Sequence, residues 1–194
     1  MGDARAAGAR VSAGIGADAK GVRLVAVGAG GKDAIAQAAL PAITDVLNFA
    51  LNLEYLEATF CLSVSGGPLS ATDMGSSPGT VTGAPGKLSM SANSTAVAAA
   101  LATDEVHHIE LLRSTIASLG GTPISMPSIN LGAKDAVTTE ALFLATARQF
   151  TAVGGSAYAG SAQYLVGNTT VLSAAAAILG AEGQHAGALA YCCD

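Results

Sequence analysis

Residues 102–112 read "ATDEVHHIELL" and residues 180–190 read "GAEGQHAGALA". Each sets a Glu three positions before a His: Glu105 with His108, and Glu182 with His185. The chain has only three His, so two of them stand in this one pattern. On an α-helix a step of three residues turns about 300° and rises about 4.5 Å, which puts the carboxylate and the imidazole side by side on one face. Carboxylate plus imidazole suits iron, manganese or zinc, whereas an all-oxygen site suits magnesium or calcium.

The spacing belongs to a longer internal echo. A shift of 77 positions carries "AAALATDEVHHIELL" onto "AAAILGAEGQHAGAL", matching Leu101 with Ile178, Glu105 with Glu182, His108 with His185 and Leu112 with Leu189. Two helices related by a pseudo-twofold axis are the reading that follows. The helix holding the first pair starts at Asn93 or Ser94 as cap, presents Val97, Leu101, Glu105, His108 and Leu112 on one face, and ends at Gly120-Gly121. The helix holding the second starts near Thr169 and presents Val171, Ala175, Ile178, Glu182, His185 and Leu189.

Two further helices complete the pattern. "TDVLNFALNLEYLEATFCL" (44–62) carries Leu47, Leu51, Glu54, Ala58 and Cys61 at steps of four and three, with Thr44 or Asp45 as cap. From Thr138 onward Leu144, Ala147, Thr151, Gly155 and Tyr158 fall in line. Residues 65–93, dense in Gly, Ser, Thr and Pro, predict a long irregular connection, and "TPISMPSINLGAKDAV" (122–137) predicts an extended one. Four helices with two long crossovers make an all-α four-helix bundle, assigned here to residues 32–194. Residues 1–31 are Gly- and Ala-rich and read as a flexible N-terminal segment.

Composition narrows the partners. The net charge of −5, without a Lys/Arg cluster, argues against nucleic acid. No uncharged apolar run reaches the ~18 residues that span a bilayer, so no transmembrane segment is expected. The first residues lack the continuous apolar stretch of a signal peptide. Cys61, Cys192 and Cys193 form no zinc spacing and are too few for a disulfide framework.

A lone Glu on each of two helices and a Glu-x-x-His on each of the other two is the ligand set of ferritin-like dimetal bundles. This chain supplies Glu54, Glu105, His108, Glu182 and His185, five of the six. A shift of 97 positions that aligns Glu54 with the fourth helix lands on Thr151, where the second lone carboxylate is expected. Glu57, three residues beyond Glu54, is the leading candidate to replace it. Glu140 is three turns from Thr151, about 16 Å by helix rise, and is excluded. His107 points about 100° away from His108 and reads as solvated, as does Glu110, while Cys61 and Tyr158 read as buried.

The stretches "DVLNFALNLEYLEATF", "DEVHHIELLR", "LGGTPISMPSINLGA", "SAYAGSA" and "AEGQHAGAL" together resemble the ferritin-like domain of the desiccation-related protein family and its fungal stress-response relatives. The resemblance spans about residues 44–190. It implies a ferritin-like bundle with a dimetal centre of iron or manganese, one or two ions, in proteins often exported or associated with the cell wall. It also implies pairing of bundles into homodimers or higher homo-oligomers, and a Glu at the position this chain gives to Thr151. A redox role in oxidative or desiccation stress is one expectation. The alternatives are a site holding a single ion and a non-catalytic structural bundle that has lost full metal binding.

Overall fold

The computed structural model describes residues 15–18, 21–24, 40–65, 67–132 and 136–192. The chain divides into two units at Leu40/Pro41. In the first, β1 (Ile15–Asp18) and β2 (Gly21–Leu24) pair antiparallel, Ile15 opposite Leu24 and Asp18 opposite Gly21. The remainder of the segment read as flexible, including the proposed boundary at 31/32, lies outside the described residues.

The second unit is built on four long helices, α1 (Ile43–Ser65), α3 (Ala92–Ser118), α4 (Glu140–Leu165) and α5 (Thr169–Cys192). Helix α1 packs on α3 and α4 on α5, and the two pairs meet through α1 against α4 and α3 against α5. The all-α bundle expected from the apolar periodicity is what forms. Its helix starts differ in detail. Ser91, not Asn93 or Ser94, caps α3, its Oγ accepting from the Ser94 amide. Thr139, not Thr138, caps α4 by accepting from the Leu142 amide. Thr44 and Asp45 lie inside the first turn of α1. The end of α3 is as expected, with Gly120 at φ +76°, a conformation that costs a residue without Cβ little.

The connections are more ordered than their composition implies. Residues 65–93, expected to be irregular throughout, contain a short helix, α2 (Ala71–Met74), capped by Ser70, and a strand, β3 (Val81–Thr82). The strand pairs in parallel with β4 (Ile129–Asn130) of the second long connection. The Gly79 amide donates to the Met126 carbonyl, and a Cβ at Gly79 would lie 2.2 Å from the Ser128 nitrogen, so only glycine allows the two connections to approach this closely. One crossover thus ties down the other.

Two apolar clusters fill the bundle. Leu51, Tyr55, Ile109, Ile116, Leu165 and Ile178 represent the first; Phe60, Val64, Leu101, Phe143, Leu144 and Leu189 represent the second. Along each long helix the chain passes from one cluster to the other. Between them every helix presents polar or small residues: Glu54 and Glu57 on α1, Glu105 and His108 on α3, Thr151 and Gly154 on α4, Glu182 and His185 on α5. All eight are buried.

Candidate metal centre

The helical stripes deliver these side chains to one place because Glu and His replace apolar residues at core positions, so helix packing itself drives them inward. His108 and His185 arrive from the neighbouring helices α3 and α5 with ring centroids 6.0 Å apart. Glu105 stands between them. Its Oε2 lies 2.9 Å from His108 Nδ1, and its Oε1 lies 3.1 Å from His185 Nδ1. His108 Nδ1 is also 3.2 Å from Glu54 Oε2, and the Tyr158 hydroxyl donates to Glu54 Oε1 at 2.5 Å. Glu54, Glu105, His108 and Glu182 each offer a ligand atom within 4.8 Å of the others.

Not every close pair is a hydrogen bond. Glu105 Oε1 and His185 Nδ1 are near but misaligned, and both count among the buried polar atoms without a partner, together with both carboxylate oxygens of Glu182. His185 Nδ1 is 3.9 Å from Glu182 Oε2. An unpartnered buried carboxylate is costly, whereas one facing a cation is not. The outer nitrogen of His185, Nε2, donates to Asp104 Oδ2 at 3.1 Å. In the neutral ring that bond puts the proton on Nε2 and leaves the Nδ1 lone pair aimed into the cluster, the orientation a metal-binding imidazole needs.

With all four Glu ionised the charges would not balance without a cation. Four Glu share the layer with two His, and every ion pair those Glu make among the described residues is to a His. Burial, then the charges of Glu182, Glu105 and Glu54, push the Glu57 pKa up to about 10. Burial and the charges of Glu105 and Glu54 raise Glu182 to about 8. Burial raises Glu54 to about 7 against the hydrogen bond from His108. Burial opposes ionisation of Glu105 too, but the hydrogen bond from His108 and the closeness of His185 and Glu54 outweigh it, lowering its pKa to about 2. Burial likewise opposes the His108 cation, yet the hydrogen bonds and charges of Glu105 and Glu54 raise it to about 10. Protons therefore occupy places suited to positive ions. The buried unpartnered oxygens, the imidazole lone pair and the excess of carboxylates fit a transition-metal pair.

All six residues proposed as ligands from the sequence lie in this layer. His107 and Glu110 are exposed, as their helix positions require. Glu140 instead binds the start of α3, accepting from the Ser91 amide and from the hydroxyls of Ser91 and Ser94. The helical periodicity does not point to Asp104 or Gly154. The signal for Asp104 is its place beside Glu105, where the 77-residue echo has Ala181. Gly154 carries no side-chain signal, although the 97-residue alignment places it opposite Glu57.

The ferritin-like domain family matches residues 42–193. No curated protein matches the chain. Among solved structures, ferritin-like, diiron-carboxylate proteins from Bacillus anthracis str. Ames superpose with a TM-score of 0.55 at 18% identity, over 78% of this chain and 94% of theirs. That likeness is one of fold. No helix among the described residues is long and apolar enough to cross a membrane. With four-fifths of its length inside the family match and its four long helices in the matching arrangement, the chain belongs to the ferritin-like domain family.

Proposed function

We propose that the protein binds two redox-active transition-metal ions, iron or manganese, between Glu54, Glu57, Glu105, His108, Glu182 and His185. The observation that carries this is the division of Glu105, whose two oxygens face the Nδ1 atoms of the two imidazoles. Glu54 and His108 flank one side of that carboxylate, and Glu182 and His185 the other. When bound, such a pair supplies reversible electron transfer to oxygen or peroxide. The chain's own part is to hold the ligands: Tyr158 fixes Glu54, Asp104 fixes His185, and the apolar clusters on either side keep bulk water out. A role in oxidative or desiccation stress, suggested by the sequence resemblance, belongs to this proposal, as do assembly of the bundle into homo-oligomers and an exported or wall-associated location.

A second reading is a bundle that keeps the fold with an incomplete site. Helix α4 favours it, since Thr151 and Gly154 bring no carboxylate to the layer. Reconstitution of chelator-stripped protein with Fe(II) or Mn(II), followed by metal analysis, separates the two. Two ions per chain is the expected result. None would leave a structural bundle.

A further inference from the structure

The two halves of the bundle are unequal in one respect. The echo between α3 and α5 keeps Glu with Glu and His with His, but the alignment of α1 with α4 sets Glu54 against Thr151 and Glu57 against Gly154. Helix α1 thus brings two carboxylates to the layer and α4 brings none. A Cβ built on Gly154 would lie 2.9 Å from Glu57 Oε1 and 3.1 Å from both Cδ and Oε1 of Glu182. The Glu57 carboxylate therefore reaches across the bundle to the backbone of α4 and takes the volume that an α4 side chain would fill. Beside it stand both unpartnered oxygens of Glu182, a residue 1% exposed.

We propose that Glu57 is the carboxylate of the second ion, alongside Glu182 and His185, and that Gly154 is the positioning residue that makes room for it. The proposal rests on the metal-binding reading above and adds where the missing α4 ligand comes from. Glycine inside a 26-residue helix is otherwise a liability relative to Ala. At 154 a methyl group would meet the Glu57 and Glu182 carboxylates, and Glu57, the nearer, would have to move off the position it holds beside Glu182.

The test is a cycle of variants read by metal stoichiometry and by melting of the metal-free protein. Wild type binds two ions; Glu57→Ala and Gly154→Ala each bind one; the double variant Glu57→Ala/Gly154→Ala binds one, no worse than Glu57→Ala alone. Glu57→Ala/Gly154→Glu, which moves the carboxylate from α1 to α4, regains the second ion. In the Glu57→Ala background Gly154→Ala raises the melting temperature of the metal-free protein by about 2–4 °C, because the closest contact is gone, the Glu182 carboxylate has only a few tenths of an ångström to give, and the helix-propensity gain outweighs that shift. This reading also covers the case in which Gly154→Ala alone folds poorly. Two ions in Glu57→Ala, or in Gly154→Ala at unchanged affinity, would overturn the proposal. One ion in wild type, unaffected by Glu57→Ala, would overturn it while leaving metal binding intact. No ion in wild type would overturn both.

Discussion

Glu105 Oε1 lies 3.1 Å from Nδ1 of His185 without a hydrogen bond between them. Two buried polar atoms held this close and left unpaired are expensive unless something binds both. The proton on the far nitrogen of the ring is committed to Asp104. In the neutral ring what remains is a lone pair and a carboxylate oxygen held close together, the arrangement of two ligands.

The metal-free protein loses stability as pH rises. Glu54, Glu57 and Glu182 hold protons in the folded chain up to about 7, 10 and 8, while the unfolded chain releases them near 4.5. Between those values the folded state binds more protons, so its stability falls with pH. His108 acts in the same direction: its contribution is complete below 6.5 and lost by about pH 10. Glu105 acts at the other end, its contribution present above 4.5 and lost toward about pH 2. Thermal melts of stripped protein should therefore peak near pH 4.5 and decline toward pH 9. A flat profile over that interval would contradict the burial of these groups.

Metal binding should release protons. Ions displace them from Glu57, Glu182 and His108, so affinity strengthens from pH 6 to pH 8. Titration calorimetry in buffers of different ionisation enthalpy reads the number released. At pH 7 more than one proton per chain is expected, and none would mean the ions bind elsewhere.

Glu182 and Glu105 should respond oppositely to removal. Glu182 has two unpartnered buried oxygens, so Glu182→Leu stabilises the metal-free protein by roughly 1–3 kcal/mol. Glu105 is bonded to His108 and close to His185, so Glu105→Ala destabilises it by roughly 1–3 kcal/mol. Denaturant melts in the presence of chelator compare them. Both variants bind less metal.

Asp104 is half exposed and makes one contact of consequence, to His185 Nε2. Asp104→Ala frees the ring and should weaken metal binding about 10–100-fold. The melting temperature of the metal-free protein should change little. An unchanged affinity would show that the ring is held by its packing alone.

The bundle and most of its polar layer were legible because helical period is a local property: Glu105, His108, Glu182 and His185 announce their shared face by spacing. The rest depends on how helices are turned against one another. Asp104 lies on a flank, and its use appears only when α5 brings His185 beside it. Gly154 acts through absent volume, which acquires meaning only with Glu57 opposite. The strand pair joining residues 81–82 to 129–130 is a non-local contact between two stretches that each look irregular alone. Helix starts shifted by a few residues because several neighbouring Ser, Thr and Asn side chains were able to cap, and the choice of Ser91 rests on a bond to the Ser94 amide.

The central claim is that the two imidazoles face a common inorganic centre. Anomalous diffraction at the iron edge, from crystals of protein reconstituted with Fe(II), tests it directly. Two peaks are expected in the layer between Nδ1 of His108 and Nδ1 of His185, on either side of the Glu105 carboxylate. No anomalous density there, or iron bound only at surface carboxylates, would contradict it.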